Sequence, residues 1–396
     1  MSVLILNRFP SRMARYKEWL WDFDGEINLF TSQRTLDEFD GFNVIQGYAH
    51  FQNNANVEID AELLFQKAPF SHIVALDETE IVRAALLRQR FGINGQHYSS
   101  ALAFRDKVLM KDQVCRAGVP TPKYLRVHHP LDVWDFITHY GYPVVLKPVD
   151  GFGSIGVKVG KSEQELRTIL QDGLPSNYEV EQFVDGPMYT IDGLVIDRTV
   201  SFVSSTKYVN GCLDFDTTTG YVVLHPQSTL LSRFKEFITK VFSAMPTPDH
   251  CSFHCEVFLT SDDKIVFCEI ACRTGGGMID EAILRMYGVD LNGYQTRLEC
   301  ALPVPVLPQS QHIDKLFGTV MIPRQARTLV DLPMQLPFDW VELYMPNGKV
   351  GTQYTAPQSY LDNVGTIMVS GRNEAVVEDR LNEATAWFNE HVIWKD

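Results

Sequence analysis

The stretch Tyr142–Val157, with the sequence YPVVLKPVDGFGSIGV, places a lysine at the end of an apolar strand and directly before a glycine-rich loop. Successive glycines let backbone N–H groups converge on an anion, and Ser154 adds a hydroxyl group. Lys147 follows an apolar run, where an ammonium group is costly unless an anion neutralises it. An edge-strand lysine beside an ordinary turn remains the alternative, but the combination favours a phosphate-binding site.

The hexapeptide from Gly151 to Gly156 matches the dinucleotide-binding pattern GxGxxG, but its surroundings do not. That pattern requires a helix to begin at the loop, because the N-terminus of the helix holds the pyrophosphate. Residues 157–160 instead have the pattern of a strand. The loop is therefore predicted to connect two strands, as a hairpin that folds over a ligand.

Two glutamates, Glu256 and Glu269, lie in separate apolar, strand-like runs that are joined by a turn. In a hairpin both side chains can project from one face, since neighbouring strands lie about 4.8 Å apart. Carboxylates this close repel each other unless a cation bridges them, and Mg²⁺ binds a few carboxylates together with substrate phosphates. Arg273 and Gly275–Gly277 follow, and arginine offers a planar cationic donor to a phosphoryl or carboxylate group. The simpler alternative is a pair of surface glutamates that face lysines.

Four cysteines form two equally spaced pairs, which superficially suggests a metal site: Cys251 and Cys255, and Cys268 and Cys272. Zinc-binding pairs usually have turn residues around them, whereas these lie in apolar strand-like runs. We interpret them as small buried hydrophobic residues.

Length and charge restrict the class of protein. At 396 residues the chain is too long for one ordinary domain, which predicts roughly two to four. A net charge of −14 disfavours a nucleic-acid partner, because phosphate backbones are bound by clustered Lys and Arg. The apolar run Val3–Leu6 is too short for a signal peptide, and no run approaches the roughly 18 apolar residues that span a membrane. We therefore expect a cytoplasmic protein without a membrane partner.

Hydrophobic patterns predict an α/β and α+β multidomain protein. In residues 1–104 strands alternate with helices, which predicts a Rossmann-like domain with a parallel sheet covered on both faces. A single helix is expected from Ser100 to Arg116. Residues 105–302 are predicted to be α+β, with a lid-like lobe at 123–182.

The second half of the chain is richer in strands. Between residues 186 and 300 the pattern predicts an antiparallel sheet and one clear helix, Leu231–Ser243. After a proline-containing linker, residues 303–396 are predicted to form a small β-rich cap that includes a strand at Val350–Tyr354. The helix Glu374–Glu390 closes the chain.

In their order along the chain, the motifs of Leu102–Leu302 resemble the ATP-grasp superfamily. They are Arg105-Asp106-Lys107, Val119-Pro120-Thr121-Pro122, PVVLKP with the glycine loop, VEQFVDG at 180–186, and the two glutamates with Arg273. The resemblance implies an ATP-grasp fold, with a preceding α/β domain and a C-terminal cap as in the carboxylate–amine and L-amino-acid ligases of this superfamily.

The resemblance also implies the role of individual residues. It assigns six residues to the ATP phosphates: Lys107, Lys147, Gly153, Ser154, Gly156 and, as a third cation, Lys207. It assigns Glu181 and the backbone of Phe183 and Val184 to adenine, and Glu256 and Glu269 to Mg²⁺. Arg273 is assigned to the transferred phosphate and is catalytic together with Lys147.

Two positions depart from the family pattern. The family usually has Asn two residues after the second metal-binding glutamate, where this chain has Ala271, which cannot coordinate a metal ion. It often has an acidic residue for the ribose at the position of Met188, and Asp192 would compensate if its strand points it inward.

Three histidines that a mechanism could recruit, His225, His250 and His254, are interpreted as structural or surface residues.

The resemblance implies an ATP-dependent ligase that phosphorylates a carboxylate and then lets an amine displace the phosphate, giving an amide. Its expected partners are a small-molecule carboxylate and amine, with an amino acid among them, and a homodimer is left open. Two alternatives stay open: a carboxylase-type relative that uses bicarbonate or a cofactor acid, and a regulatory protein that binds ATP without catalysis. Candidate recognition loops are Asn210–Gly220 and the region around Arg285.

Overall fold

The computed structural model describes residues 1–211, 217–308 and 313–396. Residues 212–216 of the candidate recognition loop Asn210–Gly220 lie outside the described residues. Within these ranges, no helix combines the length and the apolar character needed to cross a bilayer.

The N-terminal region contains a four-stranded parallel sheet. Its strands are β1 Ser2–Asn7, β2 Glu26–Ser32, β3 Val44–Tyr48 and β4 His72–Ala75, in the order β3-β2-β1-β4. Its helices are α1 Tyr16–Trp19, α2 Asn56–Lys67 and α3 Ile81–Phe91, with 3₁₀ turns at Leu36–Glu38 and Phe51–Asn53. All of β1 is buried, and its alternate residues pack into two different clusters, which confirms the predicted α/β domain with two covered faces.

Two helices replace the single helix expected from Ser100 to Arg116. They are α4 Tyr98–Ala103 and α5 Lys107–Arg116. The break is explained by Asp106, whose carboxylate accepts hydrogen bonds from the N–H groups of Val108 (3.0 Å) and Leu109 (2.9 Å) and so caps α5. This cap places Lys107 in the first turn of α5, where its N–H donates to the carbonyl oxygen of Val149.

A four-stranded antiparallel lobe carries the glycine loop. Its elements are β5 Tyr124–Val127, α6 Pro130–Tyr140, β6 Val144–Pro148, β7 Lys158–Gly160, α7 Glu163–Leu170 and β8 Tyr178–Gln182, with the strand order β5-β8-β6-β7. Strands β6 and β7 pair directly, with Leu146 opposite Lys158. The glycine loop therefore joins two strands of a hairpin, as predicted.

An eight-stranded antiparallel sheet forms the centre of the molecule. Its strands are β9 Met188–Ile196, β10 Thr199–Tyr208, β11 Thr219–Val223, β12 Cys251–Leu259, β13 Ile265–Ala271 and β14 Leu316–Pro323, followed, after β15 Thr328–Asp331, by β16 Val341–Pro346 and β17 Asn363–Gly371. Their order is β13-β12-β9-β10-β11-β14-β17-β16. The remaining helices are α8 Thr229–Ala244, α9 Ile279–Tyr287, α10 Leu291–Glu299 and α11 Glu374–His391, and β18 Ile393–Lys395 pairs with β15.

Two expectations about these elements are wrong. The prediction of one clear helix between residues 186 and 300 overlooks α9 and α10. Helix α9 follows directly on a run of three glycines, and α10 contains Gly293, a weak helix former whose N–H is bonded by the capping carboxylate of Asp290. The expected strand at Val350–Tyr354 is a turn with one isolated bridge, and Gly351 has a left-handed backbone (φ 83°) that interrupts an extended run.

The sheet continues across the predicted boundary at residue 303. Strands β14, β16 and β17 lie after it, yet they hydrogen-bond into the same sheet as β9–β13. Helix α11 packs on this half of the sheet through Val377, Leu381 and Phe388. The domain limits 1–104, 105–302 and 303–396 therefore stay predictions.

Candidate active site

A cavity of about 890 Å³ lies between the glycine loop and the central sheet. Its walls include nearly all the residues singled out in the sequence: Lys107, Lys147, Gly153, Ser154, Glu181, Phe183, Val184, Lys207, Glu256, Glu269 and Arg273. Gly156 is not one of these lining residues, but the loop requires a glycine there. A Cβ atom at this position would lie 2.6 Å from the hydroxyl of Tyr178, and the φ of Gly156 is +78°. The volume is typical of small-molecule sites.

Lys147 is held by carboxylates of the protein. Its Nζ lies 2.6 Å from Glu181 Oε1 and 3.7 Å from Glu179 Oε1. A second lysine, Lys111 of α5, is fully buried between the same two glutamates. Its Nζ lies 2.6 Å from Glu179 Oε1 and 2.7 Å from Glu181 Oε2. Burial alone would raise the pKa of Glu181, but the charges of Lys111 and Lys147 lower it to about 2. The anionic partner that Lys147 requires is thus already present, and the site holds it charged.

Lys107 connects the glycine loop to the pair of glutamates. Its ammonium donates to the carbonyl oxygen of Gly151 at 2.7 Å and lies 3.1 Å from Glu269 Oε2. Because α5 begins at this residue, the positive end of the helix faces the same cavity. The loop, the helix and the metal-binding candidates therefore meet at one cation.

Glu256 and Glu269 are opposite each other in the hairpin of β12 and β13, as predicted. The register shifts just beyond them, where Val257 pairs with Phe267 and Cys268 is the extra residue of a β-bulge. A bulge redirects side chains, and both Cys268 and Glu269 line the cavity. Ligand atoms of Glu256, Cys268 and Glu269 lie within 4.8 Å of one another. Two carboxylates beside an open cavity fit Mg²⁺, which prefers oxygen ligands and takes phosphate and water oxygens as well.

Arg273 is anchored by a carboxylate from the N-terminal region. Its Nε donates to Glu78, and Nη1 of Arg105 donates to the other oxygen of Glu78 at 2.6 Å. Burial alone would raise the pKa of Glu78, but the charges of Arg273 and Arg105 lower it to about 2. Glu78 comes just after β4, at the carboxyl end of the parallel sheet, where ligand sites of such sheets form. The guanidinium that faces the cavity is thus fixed by residues of two other segments.

Residues 140–281 match the family model of the ATP-grasp domain. The chain contains an ATP-grasp domain. Among curated relatives, the L-arginine-specific L-amino acid ligase of Bacillus subtilis is 26% identical over 237 residues, 58% of this chain and 57% of that protein. A D-alanine–D-alanine ligase of Pseudomonas putida is 36% identical over 95 residues, 24% of this chain and 30% of that protein. The matched part thus spans little more than half of the first relative and about a third of the second.

Solved structures resemble the chain over its whole length. An L-amino acid ligase from Bacillus licheniformis has a TM-score of 0.78 at 17% identity, with 100% of this chain and 99% of that chain covered. A carboxyaminoimidazole ribonucleotide synthase from Aspergillus clavatus, complexed with ATP, has a TM-score of 0.75 at 14% identity and 98% coverage of both chains. At these identities the likeness establishes the fold.

The hinge of the ATP-grasp domain, predicted to hold adenine, borders the cavity at Phe183 and Val184. The backbone N–H of Phe183 donates to the carbonyl oxygen of Pro143 at 3.2 Å. A nucleotide would therefore use the other polar atoms of the hinge. Glu181 lies beside the hinge, and its two carboxylate oxygens form ion pairs with Lys111 and Lys147.

Lys207 reaches the cavity from β10, but it also contacts the C-terminal helix. Its Nζ lies 2.9 Å from Glu378 Oε1 of α11. The hydrogen bond from Glu378 raises the pKa of Lys207, which keeps the amine charged. A third cation is thus available at the edge of the ATP-grasp site, and its orientation depends on α11.

His254 lies at the wall of the cavity, between Asp192 and Glu256. Its Nδ1 lies 2.7 Å from Asp192 Oδ1, and its Nε2 lies 3.5 Å from Glu256 Oε1 at the cavity wall. The oxygens of Asp192 contact His254 and Thr190, so Asp192 does not replace the missing ribose ligand at Met188. Gly275 permits this arrangement, since a Cβ atom there would lie 2.6 Å from both Asp192 and His254.

Sequence reasoning missed several residues of this site: Glu78, Lys111, Glu179, Tyr208 and Tyr360. A charged residue on the buried face of a helix could have indicated Lys111, and a charged residue in a buried strand could have indicated Glu179. Tyr208 donates to Glu256 at 2.8 Å, and its position one residue after Lys207 gave no hint of that contact. Long-range pairing alone brings these side chains together.

Proposed function

We propose that the protein is an ATP-dependent carboxylate–amine ligase that forms an amide bond through an acyl phosphate, with an amino acid among its substrates. The observation that carries this proposal is the meeting of Glu256 and Glu269 with Lys107 and Arg273 in one cavity. The similarity to L-amino acid ligases supports the same chemistry. A cytoplasmic location belongs to the proposal, and a homodimer is left open.

The residues of the cavity suit phosphoryl transfer, which depends on positioning and charge neutralisation. Glu256 and Glu269 would hold Mg²⁺, whose charge offsets that of the phosphates. Lys107 and Lys147 would bind the phosphate oxygens, and Arg273 would neutralise the transferred phosphoryl group. Because Glu179 and Glu181 fix Lys147 and Glu78 fixes Arg273 beforehand, little reorganisation of these two cations is needed when the nucleotide binds.

The proposed reaction has two steps. An oxygen of the substrate carboxylate attacks the γ-phosphorus, and ADP leaves, so that a carboxylate becomes an acyl phosphate. The amine then attacks the acyl carbon, phosphate leaves with the C–O bond electrons, and the nitrogen loses a proton. Closure of the glycine loop over the cavity would exclude water, which otherwise hydrolyses the acyl phosphate.

The clearest test is phosphate release by the purified protein with MgATP and pairs of amino acids, followed by mass spectrometry of the products. We expect phosphate and an amide product with at least one pair. Lys147→Ala is expected to lower the rate by at least about 100-fold, because a positioned cation is lost from the transition state. Lys67→Ala, on the exposed face of α2, is the matched control and is expected to keep the wild-type rate.

Two outcomes would contradict the proposal. Bicarbonate-dependent turnover would indicate a carboxylase-type enzyme. ATP binding without ADP release in any mixture would indicate a regulatory protein, the alternative that Ala271 motivates. Ala271 is buried opposite His254, and its methyl side chain provides no oxygen ligand for a second metal ion.

A further inference from the structure

A C-terminal turn, residues 358–362, reaches the cavity from the region after the linker. The turn is held internally, since Asp362 N donates to the carbonyl oxygen of Ser359 at 3.0 Å and Asp362 Oδ2 accepts from the N–H of Gln358 at 2.9 Å. Arg324, just after β14, forms an ion pair with Asp362 at 2.9 Å. The C-terminal turn is therefore a defined element anchored to the central sheet.

Its first contact is with the glycine loop. The hydroxyl of Ser359 donates to the carbonyl oxygen of Gly153 at 2.7 Å, and Ser359 is 4% exposed. Leu361 covers the same residue, because a Cβ atom at Gly153 would lie 3.3 Å from Leu361 Cδ1. The C-terminal turn thus contacts the tip of the loop beside the cavity through both residues.

Its second contact is with the segment that carries Arg273. Tyr360 lines the cavity together with Arg273. Its hydroxyl lies 3.6 Å from the point that a Cβ atom at Gly276 would occupy, three residues after that arginine. Adenine is expected at Phe183 and Val184, so Arg273 marks the end of the cavity where the phosphoryl group would be transferred. A phenol and a guanidinium on the wall of one cavity are two donors suited to a carboxylate.

Resting on the proposed function, we propose that Tyr360 is a substrate-contacting residue whose hydroxyl, beside Arg273, donates a hydrogen bond to the carboxylate that becomes phosphorylated. Ser359 closes the glycine loop from the same turn. Because both residues belong to one anchored turn, closing the loop and presenting the hydroxyl are one event. The region after residue 303 thereby contributes to catalysis as well as to the sheet.

Tyr360→Phe tests the substrate contact, because it removes the hydroxyl and keeps the ring. A hydrogen bond to a charged group predicts a KM for the carboxylate substrate about 10-fold higher, with an unchanged KM for ATP. If Tyr360 were only structural, Tyr360→Phe would leave the ratio of the KM for the carboxylate substrate to the KM for ATP unaltered. The matched control is Tyr140→Phe, at an exposed tyrosine of the lobe that is distant in sequence from Tyr360. No change in either KM is expected for it.

Ser359→Ala tests the contact with the glycine loop, with the exposed Ser232→Ala of α8 as control. We expect faster amide hydrogen exchange at residues 151–156 in the full-length protein with MgADP, and more ATP hydrolysed per amide formed. Wild-type exchange rates in Ser359→Ala would overturn the loop contact, and unchanged KM values in Tyr360→Phe would overturn the substrate contact. If the wild-type protein forms no amide, the proposed function and the role of Tyr360 both fail, while the exchange rates still decide the role of Ser359.

Discussion

Lys111 shows how individual charges are arranged before any ligand binds. It is fully buried, and Glu179 and Glu181 share it with Lys147. Two cations and two anions in alternation neutralise one another, which buried charges require. Lys147 is therefore charged and fixed in position in the free protein.

Replacing Lys111 by Met should leave two buried carboxylates with a single lysine. Breaking a buried ion pair from one side costs about 3–5 kcal/mol, so we expect the free energy of unfolding in urea to fall by about 3 kcal/mol. Adding Glu179→Gln removes the unpaired charge and should restore part of the loss. Lys67→Met, on the exposed face of α2, is the control. Additive losses in the double variant would contradict the proposed coupling.

At the scale of elements, what the sequence predicts correctly is local. The parallel sheet of the first region follows from alternating strand and helix patterns. The β6–β7 hairpin follows from the strand-like residues after the glycine loop, and the pairing of Glu256 with Glu269 follows from two apolar runs joined by a turn. In the two hairpins the deciding residues are within about 20 positions of one another, where periodicity and turn residues carry the information.

What the sequence did not predict depends on non-local or competing effects. The bulge at Cys268 changes the register by one residue, which no apolar pattern records. The cap at Asp106 interrupts an otherwise helical pattern, the short helix α9 follows a run of glycines, and α10 contains a glycine that disfavours it. The partners of the site cations, such as Glu78 for Arg273, come from distant segments and appear only in the folded chain.

At the scale of the whole molecule, the candidate site depends on all three regions. Glu78 comes from the N-terminal region, the glutamates and Arg273 from the central sheet, and Tyr360 and Glu378 from beyond the linker. Each region contributes a group that fixes or faces a cation of the cavity. Because the regions meet there through ion pairs, the stability of their contacts and the geometry of the site are linked.

The contact of Glu78 with Arg273 and Arg105 predicts how stability depends on pH. The pKa of Glu78 is about 2 in the folded protein, below its usual value of 4.5. A depressed pKa means that this stabilisation is present above about pH 4.5 and is lost as the pH falls towards 2, and the shift corresponds to about 3 kcal/mol. Glu78→Gln should therefore lower the free energy of unfolding at pH 7, and its difference from the wild type should narrow between pH 5 and pH 3.

Urea unfolding at pH 7, 5 and 3 measures this difference, with the exposed Glu383→Gln of α11 as control. A difference that stays constant with pH would show that Glu78 is not stabilised by the arginines. The same variant removes the charge opposite Arg273 and leaves one acceptor oxygen for two guanidinium groups, so we expect kcat to fall while the KM for ATP changes little, since Lys107 and Lys147 have their own carboxylate partners. A loss of stability without any loss of kcat would mean that Arg273 keeps its position through the cavity wall alone.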